Sequence, residues 1–254
     1  MKPRIIEYEE LDSTNDEAKR LVRAAFFPAA PDAGPAGADT LYGSVVTARR
    51  QTAGRGRRGR SFASSGADSI YASFILRPPA SVSEQRITAF AAVAVCEAIE
   101  KTTSCKPAIK WVNDILVDGK KVCGILAESV AHAVILGIGV NINLGKGDLP
   151  EELADVAGSL TMTGDERALF FDALVESVFR CMEATGAADA SALMDAYRER
   201  SLLTGRRIII SKGDMQRPAF ATGIADDGAL IIEYEDGTAE ALRSSDVSVS
   251  LLKL

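Results

Sequence analysis

A single histidine, His132, and a single tryptophan, Trp111, occur among 254 residues. One histidine leaves one candidate base for a nucleophilic triad, and no G-x-S-x-G motif accompanies it. The four cysteines, Cys96, Cys105, Cys123 and Cys181, form no C-x-x-C and have no nearby histidine. Neither a zinc site nor a disulfide framework is indicated. No apolar run reaches the ~18 residues of a membrane span. The N-terminus, MKPRIIEYEELDSTND, lacks the apolar core of a secretory signal and is too acidic for a transit peptide. Cytoplasm is the default compartment. An excess of positive charge is also missing, with 29 Lys+Arg against 35 Asp+Glu and a net charge of −6. Phosphate affinity needs clustered cations, so the chain as a whole does not read as a nucleic-acid binder.

One segment departs from that balance. Residues 49–62, RRQTAGRGRRGRSF, place six arginines and three glycines in fourteen positions, and nothing from Thr40 to Ala67 is acidic. The segment could be a nucleic-acid patch, a disordered stretch, or a loop folded around a small anion. Its setting decides against disorder. Residues 41–48 and 69–76 read as strands on either side, which makes the segment a strand-to-strand loop.

The rest of the chain has the texture of an ordinary globular enzyme, 47% hydrophobic and 25% charged. One large domain, or a large and a small one, is expected at this size. Residues 5–11 read as a strand. Ser13 and Asp16 resemble a capping box opening a helix to about Ala25. Residues 27–39, rich in Pro, Ala and Gly, read as a loop. Apolar positions at Ile87, Phe90, Ala94 and Ile99 predict a helix over 83–101 that lies against the sheet. A strand begins at 108–111. Asp118-Gly119 is a strong hairpin turn between 115–117 and 122–126. Residues 133–142 suit a buried strand, and helices are expected over 167–184 and 191–201. His132 falls between two strands and reads as incidental. After Thr204-Gly205 come short β runs at 207–211, 219–224, 230–234, 239–242 and 247–251, the pattern of a small antiparallel barrel.

Three clusters carry possible chemistry. In the arginine loop, Gly54, Gly56 and Gly59 permit positive φ and let amides converge on an anion, while the arginines add forked donors. A solvated basic loop is the bland alternative. In KWVNDILVDGKKVCGILAES (110–129), Asn113 and Asp114 end a strand, and Lys120 and Lys121 return across the hairpin. A carboxylate and a lysine beside an anion loop suit a nucleotide with its magnesium; a charged surface hairpin is the alternative. In GIGVNIN (137–143), Gly137 and Gly139 thin a buried strand, pointing to close approach of a ligand or another backbone. Asn141 and Asn143 suit either a ligand or strand-end turns.

In order, these stretches resemble the biotin protein ligase family: D-S-T-N at 12–15, Q-T-A-G-R-G-R-R-G-R at 51–60, K-W-V-N-D-I-L at 110–116, K-K-V-C-G-I-L at 120–126 and G-V-N-I-N at 139–143. Each motif is weak alone, and the ordered set is specific. The resemblance implies an α+β fold: a helix-flanked mixed β-sheet catalytic domain of the class II synthetase-like, biotin–lipoate ligase-like type over 1–203, and a small C-terminal SH3-like β-barrel over 204–254. It implies a two-step reaction with ATP and Mg2+, in which biotin becomes biotinyl-5′-AMP and passes to one lysine of a biotin carboxyl carrier protein.

By position, Ser13, Thr14 and Gln51 would hydrogen-bond the ureido ring, with Asn15 nearby. Arg55, Gly56 and Arg57 would line the biotin carboxylate and adenylate, partly through backbone amides. Lys121 would bridge carboxylate and α-phosphate, and Gly124 would let the backbone pass close to biotin. Arg58, Arg60, Phe62, Asn113, Asp114 and Asn141 would attend the nucleotide, with Asp114 the candidate magnesium ligand. Lys110 would assist the acceptor lysine or the phosphates, joining Lys121 and Arg57 as catalytic candidates. Phe62 stands where the family often has Trp in a loop over adenine, Val112 replaces a common Pro, and Cys123 a small Gly or Ala. Some members carry an N-terminal helix-turn-helix domain and repress transcription; with D-S-T-N beginning at residue 12, a ligase without DNA binding is expected. A lipoate–protein ligase is the near alternative, and a nucleic-acid module using 49–60 the distant one. Oligomeric state, including a homodimer, is left open.

Overall fold

The computed structural model describes residues 3–26, 38–60, 62, 68–145, 147–186, 189–243 and 247–252. A seven-stranded mixed sheet forms the centre, in the order β1-β2-β3-β7-β6-β5-β4. Its strands are β1 (Arg4–Leu11), β2 (Ser44–Gln51), β3 (Ile70–Leu76), β4 (Ala108–Lys110), β5 (Asp114–Val117), β6 (Lys120–Val130) and β7 (Ala133–Val140). β1 and β2 pair in parallel, and the other neighbours are antiparallel.

Helices cover both faces. α1 (Thr14–Phe26) lies on one, burying Ala18 and Val22 with Val46, Ile75 and Ile135. The other face is covered by α3 (Glu84–Thr102), which packs against β6 and against α4 (Gly164–Glu183) and α5 (Ala190–Glu199). α3 is buried nearly all round from Ile87 to Ile99, so it behaves as a core element rather than an amphipathic surface helix. Ser83 caps it by accepting from the Arg86 amide at 3.2 Å. Among the described residues, no helix is long and apolar enough to cross a membrane.

The second sheet, in the order β11-β10-β9-β8-β12, is antiparallel throughout. It comprises β8 (Arg206–Lys212), β9 (Met215–Ile224), β10 (Leu230–Glu233), β11 (Ala239–Leu242) and β12 (Ser248–Leu251). This is the expected small C-terminal β unit, although no β11–β12 pairing closes it among the described residues. Its apolar face, with Ile208, Ala221 and Leu230, continues the core of the first sheet. Trp111 Nε1 donates to the Gly228 carbonyl at 2.9 Å, so the buried indole also ties the two sheets together.

Several local expectations shift. The strand expected at 41–48 begins at Ser44, because Ala38–Leu41 form a turn of helix (α2) and Gly43, at φ +80, turns the chain into β2. Most of the loop expected at 27–39 lies outside the described residues. α4 starts three residues before the expected Arg167, where Thr163 and Glu166 form a reciprocal capping box. The Asp118-Gly119 turn holds, with both residues at positive φ (50 and 77), the geometry of a type I′ hairpin.

Candidate active site

The α1 face of the sheet carries a cleft of about 200 Å³, bounded by α1, the arginine loop, the β5–β6 hairpin and β12. Its floor follows from register. Tyr71 pairs with Gly139 and Ser73 with Gly137 across β3–β7; Gly124 pairs with Gly139 and Leu126 with Gly137 across β7–β6. Partners in register share a face, so three glycines meet in one patch of sheet with no side chain to fill it.

Those vacancies are used. A Cβ on Gly137 would overlap the Asn15 carboxamide, and one on Gly139 would stand 2.7 Å from the Phe62 ring. Phe62 lies across the Gly124–Gly139 pair, edge-on to Tyr71 with centroids 6.4 Å apart. The close approach expected at the glycines is therefore made by side chains from α1 and the loop. Phe62 stands on the glycine floor, 6.0 Å from the Lys121 ammonium.

At one end the start of α1 presents Ser13, Thr14 and Asn15, all buried. Thr14 donates to Gln51 Oε1 from both its amide, at 2.7 Å, and its hydroxyl, at 3.1 Å. Ser73 Oγ lies 2.8 Å from Thr14 Oγ1 and donates to Asn15 Oδ1 at 2.6 Å. The Ser13 hydroxyl accepts from the Asp16 amide at 3.4 Å, consistent with an N-terminal cap.

At the other end are Lys110, Trp111, Asn113, Asp114 and Lys121. Lys121 and Gly124 are three apart on one strand, which ordinary alternation would place on opposite faces. The β5–β6 register slips between Ile115 and Leu116, leaving Val122 as an extra residue. That bulge returns both positions to the cleft face, where Lys121 Nζ lies 3.3 Å from the Cβ position of Gly124. Lys121 Nζ pairs with Asp114 at 2.7 Å. Lys120 points away and donates to the Ala154 carbonyl at 3.1 Å. The main chain of Lys121 is pinned by Val156 and Gly158, at 2.8 Å each.

The arginine loop is folded rather than splayed. Phe62 N donates to Gly54 O at 2.9 Å and Gly56 N to Arg60 O at 2.7 Å, so the Gly56 amide is used inside the loop. Of the three glycines only Gly59 has positive φ, and Arg58 itself adopts φ 59. Arg57 is half-buried and donates to Asn113 Oδ1 at 3.1 Å; desolvation lowers its pKa. Arg55 pairs with Asp16 at 2.8 Å. Among the described residues, Arg55, Arg57, Arg58, Arg60, Lys110 and Lys121 line the cleft, against Asp114 as the single acid.

Asn141 does not line it. Its amide donates to the Gly158 carbonyl at 2.9 Å, and Asn143, at φ 49, bonds Met162 and Asp68. Both asparagines make strand-end contacts, the Asn141 side chain to the Gly158 carbonyl and Asn143 to Met162. Cys123 is buried and desolvation pushes its thiol pKa up, consistent with a small hydrophobe. His132 lies in the β6–β7 turn against the Phe26 ring, 5.5 Å between centroids.

Known proteins share this chain's sequence pattern and fold. Residues 39–143 match the Biotin/lipoate A/B protein ligase family, and residues 205–250 match the Biotin protein ligase C terminal domain. The chain is 32% identical over 242 residues to the biotin–[acetyl-CoA-carboxylase] ligase of Paracoccus denitrificans, covering 89% of this chain and 92% of that one. The chain belongs to the biotin protein ligase family. Another member, the bifunctional ligase/repressor BirA of Bacillus subtilis, is 34% identical over 220 residues, covering 82% of this chain and 66% of that protein. The chain thus spans just under two thirds of that relative's length. The biotin protein ligase of Aquifex aeolicus, solved in complex with biotin and ATP, has the same fold, with a TM-score of 0.78, 24% identity, and 98% and 99% of the two chains covered.

For a biotin protein ligase family member, several cleft residues carry no motif signal. Tyr71 arrives through β3–β7 register, with the buried Ser73 behind Thr14 and Asn15, and Val247, Ser248 and Val249 arrive from the second sheet. Strand alternation marks Ser73 and Tyr71 as sharing a face; nothing in the sequence marks β12 as a cleft wall.

Proposed function

We propose that this chain is an ATP-dependent biotin protein ligase, joining biotin to a specific lysine of a biotin carboxyl carrier protein through biotinyl-5′-AMP. The observation that carries this reading is the cleft's composition, six cations and one carboxylate among the described residues over a glycine-thinned floor, in a protein of net charge −6. Two anions, a carboxylate and a triphosphate, repel each other unless fixed positive charge surrounds their meeting point.

Thr14, Gln51 and Asn15 form the polar end suited to a neutral ureido ring. Lys121, Arg57 and the flanking Arg58 and Arg60 supply the charge where a carboxylate oxygen attacks the α-phosphorus and pyrophosphate leaves. The acceptor lysine then attacks the acyl carbon, and AMP departs with the phosphoanhydride oxygen. Lys110 lines the same end and adds a cation there. The loop shields the mixed anhydride from water.

Magnesium enters with ATP as part of the substrate. Among the described residues, no three acidic, His or Cys side chains cluster into a cage. Asp114, held by Lys121, suits an ion that keeps its phosphate and water ligands and takes at most one protein carboxylate. Residues 1–203 form the catalytic unit and 204–254 the small β unit, whose β12 closes the Lys110 end. The placement of Arg55, Arg57, Arg58 and Arg60 on the cleft favours small anions over nucleic acid as their ligand. Biotin-dependent pyrophosphate release tests the first step. Release with biotin and not with lipoic acid is expected; release driven by lipoic acid would favour the lipoate reading.

A further inference from the structure

At the Asn15 end of the cleft, two carboxylates and two cations, one of them the cleft-lining Arg55, form a closed ring. Glu128 lies on the cleft face of β6, two residues beyond Leu126 and opposite Ile135. Its Oε2 accepts from Asn15 Nδ2 at 2.8 Å, and its Oε1 from Lys19 Nζ at 2.9 Å. Lys19, whose side chain is 10% exposed, also holds Asp16 at 2.8 Å. The other oxygen of Asp16 holds Arg55 Nε at 2.8 Å, and Arg55 Nη1 returns to within 3.9 Å of Glu128 Oε1. Charge balances within the ring, which lets a nearly buried lysine stay charged there.

The ring joins three elements that build the site: the start of α1, the strand bearing Lys121 and Gly124, and the arginine loop. It also fixes one amide. Asn15 Oδ1 accepts from Ser73 while Nδ2 donates to Glu128, so a flipped amide would set oxygen against carboxylate. A carbon on Gly137 would occupy the space of that amide, so the floor leaves it no alternative seat.

We propose that Glu128 is a positioning residue for the acid substrate: it orients Asn15 directly and, through Lys19 and Asp16, sets where Arg55 starts the loop. This rests on reading the cleft as the biotin–ATP site. Glu128 touches none of the reacting groups, so its effect falls on the binding of biotin and not on chemistry at phosphorus.

The test compares the full-length parent, Glu128→Gln and Glu128→Leu, assayed with biotin, Mg-ATP and a biotin carboxyl carrier domain. Gln keeps an oxygen able to accept from Asn15 and loses the charge facing Lys19 and Arg55; Leu loses both. In Glu128→Leu the KM for biotin rises about tenfold, the scale of losing an outer hydrogen-bond partner, with Gln in between. The KM for ATP and kcat stay within about twofold, the signature of lost ground-state binding. An unchanged biotin KM in the Leu variant overturns the proposal. So does a joint change of kcat and both KM values with a lowered melting temperature, which marks a merely structural role. If the Leu variant does not fold, the Gln variant decides on the same biotin KM. A parent that gives no biotin-dependent product overturns the cleft reading itself; an active parent with unchanged variants overturns only the role of Glu128.

Discussion

The ammonium of Lys121 lies 2.7 Å from the Asp114 carboxylate and 3.3 Å from the point where a Gly124 side chain would begin. The bulge at Val122 creates this relationship, since without the extra residue the lysine would face away from the floor. On the proposed reading, the Asp114 pairing holds the charge where a carboxylate and an α-phosphate would share it. Removing it in Lys121→Ala is expected to lower biotinyl-adenylate formation by roughly 10²–10³-fold, the scale of losing one fixed transition-state donor. Stopped-time assays of biotin-dependent pyrophosphate release measure this, and Lys121→Arg should not restore the rate, because a planar fork does not replace a point charge.

Gly137 is expected to be intolerant of a methyl group. The added carbon would overlap Asn15, whose amide is held from both ends by Ser73 and Glu128. Gly137→Ala should cost about 1–3 kcal/mol, the range for overpacking a fixed site. Gly223 is the control: nothing lies within 4 Å of its Cβ position. Urea unfolding of Gly223→Ala should agree with the parent within about 0.5 kcal/mol.

Thiol reactivity should follow burial. Cys96, Cys123 and Cys181 are buried, and desolvation raises all three thiols, Cys96 and Cys181 to about 12. Cys105 alone is partly exposed. Thiolate is the reactive form, so brief alkylation of the native protein at pH 8 should label Cys105 and spare the others. Peptide mass mapping reads the sites, and rapid labelling of Cys123 would contradict the packing described for β6.

Asp12 gives an acid dependence. The Arg20 guanidinium grips both its oxygens, at 2.7 and 2.9 Å, and the Ser13 amide donates a third bond at 2.7 Å. Its pKa falls from 3.8 to about 2, chiefly through Arg20. A lowered folded-state pKa gives stability that is present above pH 3.8 and lost as pH falls toward 2. Both side chains are about half exposed, so solvent screening keeps the effect small. The melting-temperature gap between the parent and Asp12→Asn should be largest above pH 4 and close by pH 2.

Much of this site was legible because its residues cluster in short local patterns. Asp118-Gly119 requires a tight hairpin, and that hairpin brings Asp114 and Lys121 together. The loop's place between two strands marked the arginines as part of a fold. What stayed hidden depends on register and packing. The Val122 bulge, Ser73 beneath Thr14, and the β12 wall arise from pairing partners distant in sequence. The capping box of Thr163 and Glu166 was readable in the sequence and starts α4 three residues before the expected Arg167.

The most direct measurement is the intact mass of a biotin carboxyl carrier domain after incubation with this chain, biotin and Mg-ATP. One biotinyl adduct on one lysine, requiring ATP and absent with Lys121→Ala, is the predicted result. Full transfer by Lys121→Ala, or no adduct from the parent chain, would contradict the account.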